Sequence, residues 1–437
     1  MNKKQILEDA SKENVRYVKL QFTDMLGTFK SVEIPVSRLD IALDGKVMFD
    51  GSSIEGFVRI KEADMYLKPD YDTWLILPLE SEKEGKTARL ICDVYLPNGL
   101  PFPGDSRLLL KNALETLKNE DKILFKIGVE PEFYLLKKDN DQYKFVDNAS
   151  YFDLAPLDVS ERCRKEIVLE LEKLNFKVEA SHHEVGPGQN EINFRYDNAL
   201  ATCDLIQTYK QVVKQVALKN NLVATFMPKP FAGYAGNGMH MNCSLTDLKG
   251  NNLFYDPNDP LKLSSLCRKF ITGILTHSRE ICVLTNPTIN SYKRLVPGFE
   301  APCYICWSDA NRSAMIRIPA SREQSTRCEV RNVDPSVNPY LAALAILKVG
   351  LSGIKNNYPL INPVYDNIYE LNREERESIG INNLPENLKD AIKEFKKSDI
   401  MKEVFKDHIY AKLIKAKEME WESYRVLIHP WEIKRYL

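Results

Sequence analysis

Two glutamates at alternate positions, Glu130 and Glu132, stand in the run Phe125-Lys126-Ile127-Gly128-Val129-Glu130-Pro131-Glu132-Phe133-Tyr134. Alternate residues of a strand point to one face, so both carboxylates project together. Their neighbours are apolar, and carboxylates in such a strand are costly unless a cation neutralises them. A solvated strand face is the plain alternative. Glu184 follows His182 and His183, and Glu191 lies just beyond the turn Gly186-Pro187-Gly188. A hairpin there would bring these two carboxylates together. The His-His pair hints at zinc, but adjacent strand residues face opposite ways and do not easily share one ion. His240, Asn242 and Ser244 alternate on one strand face, after the glycine-rich segment Gly233-Tyr234-Ala235-Gly236-Asn237-Gly238. Glycine there lets backbone approach a ligand.

Arginines crowd the next part of the chain. Arg294, Arg312, Arg317, Arg327 and Arg331 fall within 38 residues, and Glu300 ends the turn that follows Pro297-Gly298. Arg327-Cys328-Glu329-Val330-Arg331 sets Arg, Glu and Arg on one face, which in isolation equally describes a self-neutralising solvated strand. The planar guanidinium fork suits carboxylate and phosphate. Glu130, Glu132, Glu184, Glu191 and Glu329 with His240 form an oxygen-rich donor set that suits Mg²⁺ or Mn²⁺ better than Zn²⁺. Five carboxylates are too many for one dication. Two or more ions balance them, and a two-metal site suits phosphoryl transfer. The chain has no Walker A segment, so a nucleoside triphosphate would be held by metals and arginines.

The elements that must position these residues read as follows. A short helix over 3–13 precedes strands at 15–22, 28–34, 71–77 and 88–94, so the first hundred residues are β-rich. Residues 97–105 are dense in Pro and Gly, a linker, and a helix capped by Ser or Asp follows over 106–119. Further strands are predicted at 123–137, 176–184, 189–196, 222–227, 238–245, 303–308, 313–318 and 326–331. Helices are predicted at 160–174, 198–219, 261–280, 338–355, 386–397 and 407–427.

Composition narrows the class. In 437 residues, 44% hydrophobic and 28% charged is the balance of a soluble globular protein. A net charge of −1 excludes bulk-charge binding of nucleic acid. The first residues lack the apolar core of a signal peptide. The most apolar run, 341–354, is short and holds Lys348, which reads as a buried helix and not a membrane span. Nine scattered cysteines, an odd number, point to free thiols in a reducing cytoplasm, with Cys303 and Cys306 as structural thiols.

The ordered motifs together resemble type I glutamine synthetase over essentially the whole chain, in the shorter subgroup not controlled by adenylylation. They are Phe49-Asp50-Gly51-Ser52-Ser53-Ile54, Glu130-Pro131-Glu132-Phe133, His182-His183-Glu184-Val185, Gly188-Gln189-Asn190-Glu191, the segment 229–244, the segment 290–298, Asn311-Arg312-Ser313, and Arg327 to Arg331. The resemblance implies an α+β fold: a small N-terminal β-grasp domain over 1–103, then a catalytic domain over 104–437 with a curved, mostly antiparallel sheet flanked by helices. It implies ATP-dependent ligation of ammonia to glutamate through γ-glutamyl phosphate. Glu132, Glu184 and Glu191 would hold one Mg²⁺ or Mn²⁺, and Glu130, His240 and Glu329 a second. Glutamate would meet Gly236, Arg294, Glu300, Arg312 and Arg331. ATP would meet Glu179, Tyr196, Asn242, Ser244, Arg312, Arg317 and Arg327. Asp50, Glu300 and Arg312 would be catalytic, Asp50 binding ammonium and taking its proton, Glu300 on a flap.

The same resemblance implies a cytoplasmic homododecamer of two hexameric rings with active sites between subunits, nitrogen-regulator proteins as candidate partners, and neither nucleic acid nor membrane. Arg59 matches a position tied to glutamine feedback, and Tyr369 the position of the modified tyrosine in the longer subgroup. Ala235 and Asn237 depart from the commonest pattern, which has Asn and Ser there. Two other readings are a glutamate ligase for another amine and a catalytically silent relative that binds regulators. Asp50 with Asp64 favours ammonium over an organic amine.

Overall fold

Alternating apolar residues build the first sheet. In the computed structural model, which describes residues 1–52, 54, 64–82, 85–298, 301–311, 313–365, 368 and 370–437, α1 (Lys3–Lys12) leads into β1 (Val15–Thr23) and β2 (Phe29–Pro35). Next come α2 (Leu39–Leu43), β3 (Val47–Asp50), β4 (Asp64–Glu82) and β5 (Gly85–Tyr95). The strand order is β2-β1-β5-β4-β3, with β1 and β5 parallel and the other pairs antiparallel, the β-grasp arrangement. Val18, Leu20 and Phe22 of β1 and Ala88, Leu90 and Val94 of β5 face α1 and α2 in one core. The strand expected at 71–77 is part of the longer β4, and β3 was not anticipated. Its alternation of buried Val47 and Phe49 with exposed Met48 and Asp50 spans only four residues, too few to register as a period. Arg59, Glu300, Arg312 and Tyr369 lie outside the described residues.

The second sheet is built on one long strand. After α3 (Ser106–Thr116), capped by Asp105, β6 (Ile123–Asp139) runs for 17 residues. Then follow β7 (Gln142–Phe145), α4 (Glu161–Lys173), β8 (Val178–His183), β9 (Gln189–Phe194), β10 (Asp197–Asn198), α5 (Ala199–Lys219), β11 (Val223–Thr225) and β12 (Met239–Asp247). The chain continues through α6 (Ser265–Thr285), α7 (Ser291–Arg294), β13 (Tyr304–Ser308), β14 (Ala314–Arg317), β15 (Cys328–Val330) and α8 (Pro339–Lys355). It ends with α9 (Arg373–Ser378), α10 (Leu388–Lys397), α11 (Asp399–Arg425), which breaks at Lys406, and α12 (Pro430–Tyr436). Among the described residues the strand order is β13-β14-β15-β12-β6-β9-β8, with β7, β10 and β11 also paired to β6. All these pairs are antiparallel except β13 with β14.

Helices α5, α6 and α8 cover this sheet with one apolar core. The run 341–354 is the buried α8, as its composition predicts. Gly273 and Gly353 let α6 and α8 touch: a Cβ on Gly273 would lie 2.2 Å from the Val349 carbonyl oxygen. Among the described residues no helix is long and apolar enough to cross a membrane. All nine cysteines are free and buried, and burial pushes the Cys303 and Cys306 thiols up to about 12. The helix expected at 407–427 is the part of α11 beyond the break at Lys406, and a further turn capped by Ser398 through Met401 N–H precedes it.

A buried ion cage joins the two sheets. Arg107 on α3 is 2% exposed and donates to both oxygens of Asp204 on α5, at 2.9 and 2.8 Å. It also donates to Asp93 on β5 at 2.6 Å and Asp70 on β4 at 2.9 Å. Lys111 bridges the same Asp70 and Asp93, and the Tyr340 hydroxyl donates to Asp204 at 2.7 Å. Burial opposes the Arg107 charge, yet Asp204 and Asp93 carry its pKa well above the ordinary value. Removing one member of such a set strands the others. Arg107→Ala is expected to lower unfolding free energy by about 3–5 kcal/mol, read as the shift in urea midpoint against the parent protein. An unchanged midpoint would refute the cage as the joint between the sheets.

Candidate active site

Strand register assembles the acidic residues. On β6, Glu130 lies opposite His240 of β12, and Glu132 opposite Glu191 of β9. Across β12, Asn242 lies opposite Glu329 of β15, which in turn lies opposite Arg317 of β14. Five strands therefore deliver one row of charged side chains to one face.

Glu130, His240 and Glu329 form the first group, with donor atoms within 4.8 Å of one another. His240 Nδ1 is 3.3 Å from Glu130 Oε2 and 3.2 Å from Glu329 Oε1. Asn242 donates to Glu130 at 2.8 Å, while Arg331 and Arg317 each donate to Glu329 at 3.2 Å. Burial disfavours charge on all three, but the hydrogen bonds between them outweigh it. His240 is drawn up to about 9, Glu329 falls to about 2, and Glu130 falls below its ordinary value.

The second group is His182, Glu184 and Glu191, again with donor atoms within 4.8 Å. His182 Nδ1 is 3.4 Å from Glu184, and its Nε2 is 3.4 Å from Glu191. The opposed facing expected of the two histidines holds: His182 lies opposite Glu191, while His183 lies opposite Asn190 on the other face. Setting the His-His pair aside nonetheless missed His182. The signal was its i, i+2 spacing to Glu184.

Glu132 stands between the groups. Its Oε2 accepts from Gly238 N–H at 2.9 Å and from Gln189 Nε2 at 3.0 Å. Burial, then Glu191, pushes its carboxyl up. Gly238 makes the convergence possible, because a Cβ there would lie 2.7 Å from Arg294 Nη2 and 3.2 Å from both Glu132 Oε1 and His240 Nε2. Arg294 is 3% exposed and is held by the carbonyls of Asn332 and Arg331. Glu132, Glu184, His240, Gly236, Arg294 and Arg331 line one small cavity.

A cleft of about 400 Å³ opens beside the first group. Glu179, Tyr196, Asn242, Ser244 and Arg327 line it together with Glu130. Arg327 donates to Asn242 at 2.9 Å. Lys126 and the stretch Gln324 to Thr326 also line this cleft, and nothing in their spacing marked them. Asp50 is not brought in. It is exposed at the end of β3, opposite Asp64, and its carboxylate accepts from Ser52 N–H at 2.8 Å.

Gln189, 1% exposed and also unforeseen, ties the parts together: its amide donates to Glu132, the Gly236 carbonyl and Asn237 Oδ1. Asn237 is wholly buried and donates to the Met227 carbonyl at 2.9 Å. The departure at 237 thus braces the loop and leaves the cavity wall to Ala235 and Gly236. A dense set of carboxylates in which like charge pushes Glu132 up is chemistry that divalent cations relieve, and the donors fit them.

Comparison with known proteins follows the same lines. A model of the glutamine synthetase catalytic domain matches residues 103–436, and one of the glutamine synthetase beta-Grasp domain matches residues 14–97. The glutamine synthetase of Staphylococcus aureus strain Mu50 is 53% identical over 439 residues, covering 100% of this chain and 98% of its own. That of Staphylococcus epidermidis strain ATCC 35984 is 52% identical with the same coverage. Among solved structures, a GmaS/ADP complex is 30% identical with a TM-score of 0.90, covering 99% of each chain. The Plasmodium falciparum glutamine synthetase, solved by cryo-EM, is 26% identical with a TM-score of 0.90, covering 100% of this chain and 99% of its own.

Gly238→Ala is expected to force Arg294, Glu132 and His240 apart and to weaken Mn²⁺ binding by about 10–100-fold, while leaving the β-sheet intact by circular dichroism. Unchanged Mn²⁺ affinity by calorimetry would count against this convergence.

Proposed function

The chain belongs to the glutamine synthetase family, and from that membership and the site's geometry we infer that it is a type I enzyme making glutamine from glutamate, ammonia and ATP. The observation that carries the reading is the meeting of two acidic groups with Arg294, Arg317 and Arg331 where a cleft and a cavity adjoin. ATP as substrate suits the cleft of Tyr196, Glu179, Asn242, Ser244 and Arg327, and the ADP bound by the similar GmaS structure supports that choice. Glutamate suits the cavity, where Arg294 and Arg331 oppose its charge and Gly236 forms part of the wall.

Glu132, Glu184 and Glu191 would hold one divalent cation, Mg²⁺ or Mn²⁺, and Glu130, His240 and Glu329 another. When bound, such ions neutralise phosphate charge and polarise the γ-phosphoryl group. Arg317 and Arg331 lie on Glu329 and offer fixed positive charge to the phosphates and to the glutamate carboxylate. A carboxylate is a poor acyl donor. Attack by its oxygen on the γ-phosphorus releases ADP and gives γ-glutamyl phosphate, and attack by ammonia on that carbonyl then expels phosphate. Arg312 would face the phosphates and Glu300 would close the site against water.

Ammonium must lose a proton to attack. Asp50 suits holding that cation, because the Ser52 N–H bond holds its carboxyl below the ordinary value and keeps it anionic, and it would take the proton as the carbon–nitrogen bond forms. It is exposed on the first sheet, so we place it at the site of a neighbouring copy, in a dodecamer of two hexameric rings. We divide the chain into domains at 103/104, the Pro/Gly-rich stretch. Nine free, buried thiols support a cytoplasmic location. Nitrogen-regulator proteins remain candidate partners. Relatives 53% identical and named glutamine synthetase favour ammonia over another amine.

Glu132→Gln and Glu329→Gln are each expected to lower glutamine formation by more than about 100-fold with the thermal midpoint retained. The parent enzyme is expected to prefer ammonium over methylamine in initial rates. Near-parental turnover in either variant, or preference for methylamine, would overturn the assignment.

A further inference from the structure

The hairpin that carries Glu184 and Glu191 has a second face. His183 and Asn190 point away from the acidic group, and both are fully buried. Behind them Asp147, whose side chain is 1% exposed, accepts from Gly188 N–H at 2.7 Å and Ala149 N–H at 3.3 Å, and lies 3.3 Å from His183 Nε2. His183 Nδ1 lies 2.6 Å from the Glu184 carbonyl, which can only accept, so this nitrogen donates. A second post stands beside it. Arg164 on α4 donates to Asn190 Oδ1 and to Asp158, each at 2.6 Å, and Asn190 donates to the Gly188 carbonyl at 2.9 Å. Ser160 donates to Asp158 at 2.7 Å and to Asn190 at 3.0 Å.

We propose that Asp147 and Arg164 are positioning residues that clamp the turn 183–191 from behind and hold Glu184 and Glu191 at metal-binding separation. Gly188 is the point of purchase. Its φ is +70°, a Cβ there would lie 2.7 Å from the Leu135 carbonyl oxygen, and its N–H and C=O are held by Asp147 and Asn190 respectively. Without such a clamp, repulsion among Glu132, Glu184 and Glu191 would open the hairpin, and a cation would have to reclose it on binding. The rear cluster is not itself a cation site. Both oxygens of Asp158 are occupied, and the Arg164 guanidinium takes the place of a metal charge. Among the described residues Asp147 Oδ2 is buried with no partner, so an amide at 147 keeps the acceptor that Gly188 needs.

The proposal rests on the metal reading above, and the test separates the two. Mn²⁺ affinity is measured on the full-length protein without substrates, by calorimetry or electron spin resonance, alongside the Mg²⁺ activation constant and kcat at saturating Mg²⁺. Asp147→Ala is expected to weaken Mn²⁺ binding by about 10–100-fold and to raise the activation constant in step, with kcat at saturating Mg²⁺ largely kept. Asp147→Asn is expected to stay within about threefold of the parent, since it preserves the Gly188 bond. Should Asp147→Ala fail to fold, Ser160→Ala, which removes one hydroxyl from the second post, is expected to show the same loss in milder form. A folded Asp147→Ala, or Ser160→Ala in its stead, with parental Mn²⁺ affinity and only a lowered thermal midpoint would overturn the clamp alone. No Mn²⁺ binding by the parent protein would overturn the metal reading and the clamp with it.

Discussion

Five carboxylates and two imidazoles crowded onto a partly buried sheet face set the terms for the rest of this molecule. Like charges at these separations repel strongly wherever water is thinned. The two halves answer that repulsion differently. Around Glu329 the protein supplies its own cations, so His240 is drawn up to about 9 and Glu329 falls to about 2. Around Glu132 it supplies less, and burial with Glu191 pushes that carboxyl up. The half beside the cleft of Glu179 and Tyr196 is thus neutralised from within, while the half on the 183–191 hairpin leans toward an external cation.

The architecture follows from holding that face in register. A 17-residue β6 is long enough to pair with β12 through Glu130 and with β9 through Glu132 at the same time. A slip of one residue on either side would send an acid to the opposite face. The apolar mass of α5, α6 and α8 then fixes the sheet from behind. The Arg107 cage fixes the first sheet to it with charges that are satisfied only when both are in place.

Period-two alternation made much of this legible in the chain. Glu130 with Glu132, His240 with Asn242 and Ser244, and Arg327 with Glu329 and Arg331 each occupy one strand face, as their spacing requires. Which strand lies beside which is not written in any single segment. Hence His182 was set aside with its neighbour, although its spacing to Glu184 placed it on the acidic face. Gln189, Asp147 and Arg164 carry no motif at all, because a buried hydrogen bond depends on partners far off in sequence. Asn237 is instructive in the same way: its departure from the commonest pattern shows in the structure as a change in how the loop is anchored.

Asp50 and Asp64 raise the complementary question, since they lie directly opposite each other on β3 and β4. Facing like charges on antiparallel strands destabilise the pair. Among the described residues no Lys, Arg or His forms an ion pair with either one, unlike every acidic residue of the metal groups except Glu132. Such a pair is tolerable at an exposed strand end, where water screens it, and it suits the ammonium site proposed for Asp50. On the proposed reading, the charges that would face phosphate lie in the second sheet and those that would face ammonium lie in the first. On the same reading, Asp50 exposed on the first sheet would serve a neighbouring copy, and subunit assembly would then come before catalysis.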